Sequence, residues 1–124
     1  MKLNQNSVDN NNVIMAVTND GFRINDTRVN QSCIIGNNHI ILDLEIDTIK
    51  DLMQHHIKQL LSIHPEIIIM GTGEQHVFPP IELLEPIAKQ NIGFEVMNNK
   101  SAARTYNVLI AEERKVACLL VVSQ

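Results

Sequence analysis

Two short turns carry the residues whose types and spacing are best suited to bind a small anion. The first turn is Gly71-Thr72-Gly73 and the second is Asn98-Asn99-Lys100. Each turn follows an apolar run and precedes an amphipathic segment, so each is expected to end a strand and open a helix. The free N–H groups and the dipole of a helix N-terminus favour negative charge. Ligands of open α/β sheets bind at the carboxyl ends of the strands, where these turns are predicted to meet.

Positive charge near the second turn fits the same chemistry. Lys100 belongs to this turn, and Arg104 lies in the first turns of the following helix, on the face opposite Tyr106. The first turn is neither a P-loop, since it lacks Gly-Lys-Ser/Thr, nor a dinucleotide-binding Gly-x-Gly-x-x-Gly. The alternative is that its glycines allow a tight turn and close packing of a helix on a strand.

Nucleophilic catalysis is a weaker alternative. The Thr72 hydroxyl stands between two glycines, and Glu74 and His76 follow in the same loop. Such residues form a triad only where the fold brings them together, and the chain has no Gly-x-Ser-x-Gly elbow. Glu112 and Glu113 are adjacent on a predicted helix and do not face each other, so they are a poor acid–base pair.

The five histidines lack the spacing of metal ligands. His55 and His56 are adjacent and point in different directions from a helix, and His64 lies two turns beyond His56. His39 and His76 stand alone, without a cysteine or carboxylate at ligand spacing. The sequence therefore predicts no metal and no cofactor. Glu112 is expected to pair with an arginine in a surface network, either Arg104 or Arg114.

The bulk composition excludes several classes of function. The chain has 124 residues, a formal net charge of −4, three Phe, one Tyr and no Trp. These values predict one domain and argue against a general binder of nucleic acids or anionic membranes, because the net charge is negative and the chain offers no aromatic platform for stacking bases. No apolar run approaches the roughly 20 residues that span a bilayer, so no integral membrane protein is predicted.

Residues 1–12 are polar and rich in asparagine, without the features of a signal peptide or a mitochondrial presequence. They are expected to form a disordered tail before a single α/β domain at 13–124, located in the cytoplasm. Cys33 and Cys118 lie in apolar, strand-like segments. They are expected to be reduced core thiols, with a disulfide or a reactive pair as the alternative.

The first third of the chain is predicted to be β-rich and antiparallel. Val13–Val17, Phe22–Ile24 and a segment ending at Val29 are separated by turn signals at Asp20-Gly21 and Asn25-Asp26. Two further apolar runs, at 33–36 and 39–42, flank Gly36-Asn37-Asn38, which predicts another hairpin. This region also offers an edge strand or a patch through which the protein could form a homodimer.

The remaining chain alternates strands with helices. The predicted strands are 67–70, 94–97 and 116–122, and the first and the last are apolar throughout, as strands covered on both faces are. A helix capped by Asp47 or Thr48 is expected from Ile49 to about Ile63. Pro79-Pro80 suits the start of the next helix, which would bury Ile81, Leu84, Ile87 and Ala88 and be kinked or split by Pro86. The last helix is expected to have Asn99 as its N-cap. This alternation predicts parallel pairing within a mixed sheet.

The combined pattern resembles one particular family. Its residues are Ile68 to Gly73, Phe78-Pro79-Pro80, Gly93 to Met97, Ala102 to Leu109, and Glu112 with Arg114. This pattern is similar to the small α/β family that includes mitochondrial complex I assembly factor 3 and uncharacterised bacterial and archaeal proteins. The resemblance runs from about Gly21 to Val122. It implies a three-layer α/β fold whose central mixed sheet has helices on both faces.

Two positions depart from the family's usual pattern. Asn99 stands where the family commonly has threonine, and asparagine caps a helix acceptably. Glu113 stands where the family commonly has glycine, which suggests that this helix ends differently. For the mitochondrial members the resemblance implies a role in assembling the respiratory NADH dehydrogenase through protein contacts. It implies no catalytic mechanism, and a bacterial-type cytosolic member is the expected kind.

Three functions remain open from the sequence. The favoured one is a non-catalytic interaction or assembly protein with an unknown protein partner. The second is a binder of a small anion at the edge formed by the two turns, and the third is an unrecognised enzyme. The candidate ligand- or partner-binding residues are Gly71, Thr72, Gly73, Asn99, Lys100, Arg104, Thr105 and Asn107. No catalytic residue is assigned.

Overall fold

The computed structural model describes residues 11–123. The first ten residues of the predicted tail lie outside this described part. Asn12 lies within it, and its backbone N–H donates to the Asn37 carbonyl at 2.8 Å. Its side-chain amide donates to the carbonyls of Gly36 (2.9 Å) and His39 (3.1 Å). The chain is therefore tied to a neighbouring hairpin from Asn12 onward.

Eight strands and three α-helices form the described part of the chain. The strands are β1 (Ile14–Thr18), β2 (Gly21–Ile24), β3 (Thr27–Val29), β4 (Cys33–Gly36), β5 (Ile40–Ile41), β6 (Ile67–Gly71), β7 (Gly93–Met97) and β8 (Val116–Leu120). The helices are α1 (Gln54–Leu61), α2 (Glu85–Lys89) and α3 (Asn99–Ala111). The 3₁₀ turns Ile49–Asp51 and Ile81–Leu84 precede α1 and α2.

The strands pair into two sheets. Strands β1, β2 and β3 form an antiparallel sheet through the two predicted hairpins. The other five strands have the order β5-β4-β8-β6-β7. Strand β6 pairs in parallel with β7 and β8, whereas β4 pairs antiparallel with β5 and β8. The predicted α/β class with a central mixed sheet is confirmed.

The central sheet separates two hydrophobic clusters, because successive side chains of a strand point to opposite faces. Cys118 and Leu120 of β8 face a cluster that also contains the inner side chains of the three-stranded sheet and of α3. Ala117 and Leu119 face the other cluster, which α1 and α2 cover. The protein therefore has three layers with helices on both faces, as the resemblance implied.

The predicted helix from Ile49 to Ile63 is divided in two. Leu52 and Met53 have extended backbones, with ψ of 132° and 174°, between the 3₁₀ turn and α1. Thr48 caps the first piece, as predicted, by accepting a hydrogen bond from the Lys50 N–H at 3.3 Å. The His56 ring supports the second piece by accepting from the Met53 N–H at 2.9 Å. The apolar periodicity continues across this break and so conceals it.

The buried ring of His56 is held in its neutral form. Because Nδ1 accepts a hydrogen bond from Met53, Nε2 carries the proton and donates to the Leu44 carbonyl at 2.7 Å. The side chain is only 1% exposed. Burial is the main cause that lowers the pKa of His56 below its usual value.

We expect this histidine to weaken the fold in mild acid. An unfolded histidine takes up a proton near pH 6.5, whereas folded His56 does so only at lower pH. Its stabilising contribution is therefore complete above about pH 6.5 and is lost as pH falls toward the folded-state pKa. Urea unfolding at several pH values should show this slope. His56→Gln should flatten it and exposed His39→Gln should not; a His56 ring that titrates by NMR at or above pH 6.5 contradicts the prediction.

The predicted helix after Pro79-Pro80 is also split, as expected from Pro86. Pro86 lies in the first turn of α2, where its missing N–H breaks no helical hydrogen bond. The expected buried face is only partly correct. Ile87 is 1% exposed, whereas Ile81 is 77% exposed and Ala88 is exposed. The short 3₁₀ turn has a different period from an α-helix and therefore turns Ile81 outward.

The N-cap of α3 is Asn98, so the prediction of Asn99 is wrong by one residue. Asn98 has an extended backbone, and its side-chain oxygen accepts from the Ser101 N–H at 2.8 Å. The Asn99 side chain turns inward instead and is 7% exposed.

Helix α3 ends as it would with glycine, although Glu113 occupies the position. Glu113 has φ of 65°. Its N–H donates to the Ile110 carbonyl at 2.9 Å, and the Arg114 N–H donates to Leu109 at 3.0 Å. These two bonds form a Schellman motif, whose left-handed residue is usually glycine. The expectation that Glu113 makes the helix end differently is therefore wrong.

Replacing Glu113 with glycine should stabilise the protein. A side chain in the left-handed region is strained, and relief of that strain outweighs the added freedom of the unfolded chain by roughly 0.5–1 kcal/mol. Equilibrium denaturation checks this value. Glu112→Gly is the matched control, because Glu112 has φ of −89° and its replacement should lower stability. Equal losses in both variants would contradict the prediction.

Candidate functional site

The two predicted turns meet at the carboxyl end of the parallel strands. Gly71, the last residue of β6, lies opposite Met97, the last residue of β7. The Thr72 N–H donates to the Met97 carbonyl at 3.0 Å, and the Asn99 N–H donates to the Gly73 carbonyl at 2.8 Å. Parallel register thus places both turns side by side. We call this junction the turn edge.

The Asn99 side chain fastens the turn edge from within. Its amide oxygen accepts from the Gly73 N–H at 3.0 Å and from the Val121 N–H at 3.4 Å. Its amide nitrogen donates to the Val121 carbonyl at 2.8 Å. A Cβ on Gly71 would lie 2.7 Å from this oxygen and 3.0 Å from the Leu119 carbonyl. Gly71 is therefore needed for close approach, and Gly73 for its φ of +100°.

The polar groups of the turn edge are largely engaged with one another. The Thr72 hydroxyl donates to the Gln75 carbonyl and accepts from the Val77 N–H at 3.1 Å. His76 contacts Phe78 edge to face, with ring centroids 5.0 Å apart. The N–H groups of Gly73 and Ser101, which an anion would require, donate to asparagine side chains. The alternative role of the glycines in tight turns and packing accounts for these contacts.

An open cleft lies beside the turn edge. One part has a volume of about 320 Å³ and includes Lys100, and another of about 530 Å³ includes Lys50. The residues common to both parts are Thr18, Asn19, Gly73, Glu74 and Asn99. The cleft brings the end of β1 to the turn edge, which the sequence did not predict.

The Arg-Thr-Tyr-Asn segment of α3 mainly holds the amino-terminal strand in place. The Tyr106 hydroxyl lies 2.7 Å from the Asn12 carbonyl and 3.1 Å from that of Gly36. Burial raises the pKa of Tyr106 above its usual value. The Asn107 amide donates to the Ile14 carbonyl at 2.8 Å and accepts from the Ile14 N–H at 3.0 Å. Thr105 contacts the Met97 sulfur at 3.4 Å.

Arg104 and Lys100 are the candidate residues whose charge reaches solvent. Both side chains are exposed. Within residues 11–123, the Arg104 side chain makes no hydrogen bond and no ion pair. The expected partnership of Glu112 with Arg104 or Arg114 is wrong, because Arg114 pairs with Glu66 at 2.9 Å. Glu66 lies next to β6 and is distant from Arg114 in sequence, so the spacing of residues along a helix could not predict this ion pair.

Two further candidates, Arg23 and Arg28, were not identified from the sequence. They lie directly opposite each other on β2 and β3, and both are exposed. The sequence does contain a signal for this arginine pair. The two-residue hairpin turn at Asn25-Asp26 fixes the register that places Arg23 opposite Arg28.

Both cysteines are buried free thiols in the cluster beneath α3. Burial raises the pKa of Cys33 to about 12 and that of Cys118 well above its usual value. These positions agree with the prediction of core thiols. Among residues 11–123, no helix is long and apolar enough to cross a membrane.

The fold and the turn edge define a small three-layer α/β protein whose motif residues join its two sheets. Residues 14–121 match the family described as "Protein of unknown function (DUF498/DUF598)", and the chain belongs to this family.

Curated relatives agree with the resemblance found in the sequence. The chain is 29% identical over 105 residues to NADH dehydrogenase (ubiquinone) 1 alpha subcomplex assembly factor 3 of Drosophila melanogaster, covering 82% of this chain and 54% of that protein. It is 38% identical over 77 residues to the 13 kDa major membrane protein of Francisella tularensis, covering 62% of this chain and 63% of that protein. The chain thus spans between about half and two thirds of the curated relatives it matches.

Solved structures share the fold. An NMR structure of a Xanthomonas campestris protein has a TM-score of 0.82 at 33% identity, covering 98% of this chain and 92% of that one. The crystal structure described as an outer membrane protein from Bartonella henselae has a TM-score of 0.78 at 32% identity, covering 92% of this chain and 97% of that one.

Proposed function

We propose that this chain is a non-catalytic, assembly-factor-like protein that binds another protein through the surface around Arg104. The observation that carries the proposal is that the residues of the Arg-Thr-Tyr-Asn segment have two different environments. Tyr106 and Asn107 bind the backbone of the chain itself, whereas the Arg104 side chain is exposed and makes no hydrogen bond or ion pair within the described residues. An arginine on a rigid helix is suited to recognise a partner.

The names of relatives support the same proposal. Several curated relatives are named as assembly factor 3 of NADH dehydrogenase. We therefore propose that the partner is a subunit or an assembly intermediate of a respiratory NADH dehydrogenase. Cytoplasmic location is part of the proposal, because free buried thiols suit a reducing compartment.

The internal hydrogen bonds favour a protein partner over a small anion. Two backbone donors at the turn edge that an anion would use, the N–H groups of Gly73 and Ser101, already donate to Asn99 and Asn98. Breaking those bonds would offset the gain from binding. We propose that Gly71, Thr72, Gly73 and Asn99 shape the surface, and that Lys100 and Arg104 contact the partner. A homodimer through the hairpin region remains a separate prediction, which light scattering of the purified chain can check.

Affinity purification after crosslinking in the source cell tests the proposed function. The full-length tagged protein should enrich NADH dehydrogenase subunits, and its removal should reduce the assembled enzyme on native gels. Arg104→Ala should reduce the enrichment without lowering the melting temperature. Lys89→Ala is the matched control, because Lys89 is an exposed cation in the opposite layer. Unchanged enzyme assembly after removal of the protein would refute the link to this complex.

A further inference from the structure

Arg23 and Arg28 form a pair of like charges directly opposite each other in the three-stranded sheet. Both side chains are exposed, and within residues 11–123 neither makes a hydrogen bond or an ion pair. Like charges at directly opposed positions destabilise a sheet. The nearest carboxylates in sequence, Asp20 and Asp26, lie in the turns beyond the strands. The pair therefore opposes folding unless another molecule supplies negative charge.

The same layer continues into α3. Asn107 joins α3 to Ile14 of β1, and Ala16 of β1 lies opposite Arg23 of β2. Arg104 is two residues from buried Tyr106, so it lies about 200° around the helix and points away from the core. Lys100 precedes it by one turn. We call the outer side of this layer, with Arg23, Arg28, Lys100 and Arg104, the basic face.

Positive charge is concentrated on the basic face. Strands β1 to β3 and helix α3 contain these four cations and no aspartate or glutamate. The whole chain has 14 acidic residues and 10 Lys or Arg, so its net charge is −4. The face also exposes apolar side chains, with Met15 53% and Val108 52% accessible. A positive surface with apolar contacts fits an acidic segment that also contains apolar residues.

We propose that the basic face docks an acidic, partly apolar segment of a partner protein. The proposal rests on the proposed function and specifies the chemistry of the partner. Arg23 and Arg28 bind carboxylates of the segment, and Met15 and Val108 contact its apolar side chains. An anionic bilayer fits less well, because its extended charged surface also meets the acidic residues outside the basic face, whereas a short segment contacts only the face itself.

The test compares matched charge changes in opposite layers. The probe is a short fluorescein-labelled peptide of alternating glutamate and leucine residues, titrated with the full-length protein at low salt. The double variant Arg23→Gln/Arg28→Gln should bind the peptide about tenfold more weakly. It should also melt about 2 °C higher, because the like-charge contact is gone. Arg23→Lys/Arg28→Lys should retain most of the affinity.

The control variant Lys58→Gln/Lys89→Gln removes the same charge from α1 and α2, across the central sheet. It should bind the peptide like the unaltered protein. Equal weakening in both double variants, or no binding by the unaltered protein, would overturn the proposal. A lower melting temperature in Arg23→Gln/Arg28→Gln would also overturn it, since the arginines would then stabilise the sheet. Arginine-dependent binding of phosphatidylglycerol vesicles without peptide binding would assign the face to membranes instead.

The same variant separates this proposal from the proposed function. If tagged Arg23→Gln/Arg28→Gln still enriches NADH dehydrogenase subunits, Arg23 and Arg28 do not dock those subunits and this proposal fails, while the proposed function, which rests on Lys100 and Arg104, stands. If the unaltered protein enriches none while peptide binding behaves as expected, the proposed function fails and the basic face stands.

Discussion

Replacement of Gly71 by alanine is expected to lower the free energy of unfolding by about 2–3 kcal/mol through overpacking. The new Cβ would lie 2.7 Å from the Asn99 side-chain oxygen and 3.0 Å from the Leu119 carbonyl. Neither atom can retreat easily, because Asn99 is bonded to Gly73 and Val121 and Leu119 belongs to the central strand. Urea denaturation with far-ultraviolet circular dichroism measures the loss.

A double-mutant cycle with Asn99→Ala identifies the cause. Asn99→Ala alone removes hydrogen bonds to Gly73 and Val121 and should cost about 2 kcal/mol. The two losses should be less than additive, because the single replacement at Asn99 removes the atom that Gly71→Ala approaches most closely. Gly73→Ala is a useful comparison, since nothing lies within 4 Å of the Cβ that alanine would add and only the φ of +100° opposes the change. Full additivity at Gly71 and Asn99 would contradict the proposed contact.

Replacement of Asn107 by alanine is expected to lower the free energy of unfolding by about 2 kcal/mol, because both backbone groups of Ile14 lose their partner. The effect should be largest locally. The Ile14 amide should exchange its hydrogen much faster, while central-strand amides should change less. Hydrogen exchange followed by NMR makes this measurement. Val108→Ala, at the next and exposed position, should leave the Ile14 amide protected.

Asn107→Asp provides a sharper form of the same test. An ionised aspartate can accept from the Ile14 N–H but cannot donate to the Ile14 carbonyl. When it is protonated it regains a donor. The stability deficit of Asn107→Asp relative to the unaltered protein should therefore shrink below about pH 4. A deficit that is independent of pH would show that Asn107 acts through packing and not through its pair of hydrogen bonds.

The hairpins and the parallel pairing were predictable where one local rule determined the outcome, whereas the order of the strands in the central sheet was not predicted. The buried runs in β6 and β8 and the turn signals around β1 to β3 each had a single interpretation, and the resemblance supplied the layer arrangement. Helix boundaries were less predictable. The break at Leu52 depends on the His56 ring, and the shift of the cap to Asn98 depends on Asn99 reaching Val121. Such contacts depend on the tertiary fold, which periodicity does not report.

The candidate site was likewise predictable only in part. Sequence spacing brought the two turns together correctly, because parallel strands end at one edge. It did not show that Asn107 binds Ile14 or that Thr72 binds its own loop, since those partners lie on other segments or depend on loop shape. It also missed the juxtaposition of Arg23 and Arg28, which only the pairing register reveals. The roles of the candidate residues in binding stay predictions.

The central position of β8 has a consequence for biosynthesis. β8 lies between β4 and β6, and contributes side chains to both hydrophobic clusters. A nascent chain on the ribosome can pair β1 with β2 and β6 with β7, but it cannot join β4 to β6 until Leu120 has emerged. Until then the apolar faces of β4 and β6 lack their shared neighbour and are open to aggregation or to a chaperone. Folding of the central sheet is thus expected to wait until residue 120 has left the ribosome.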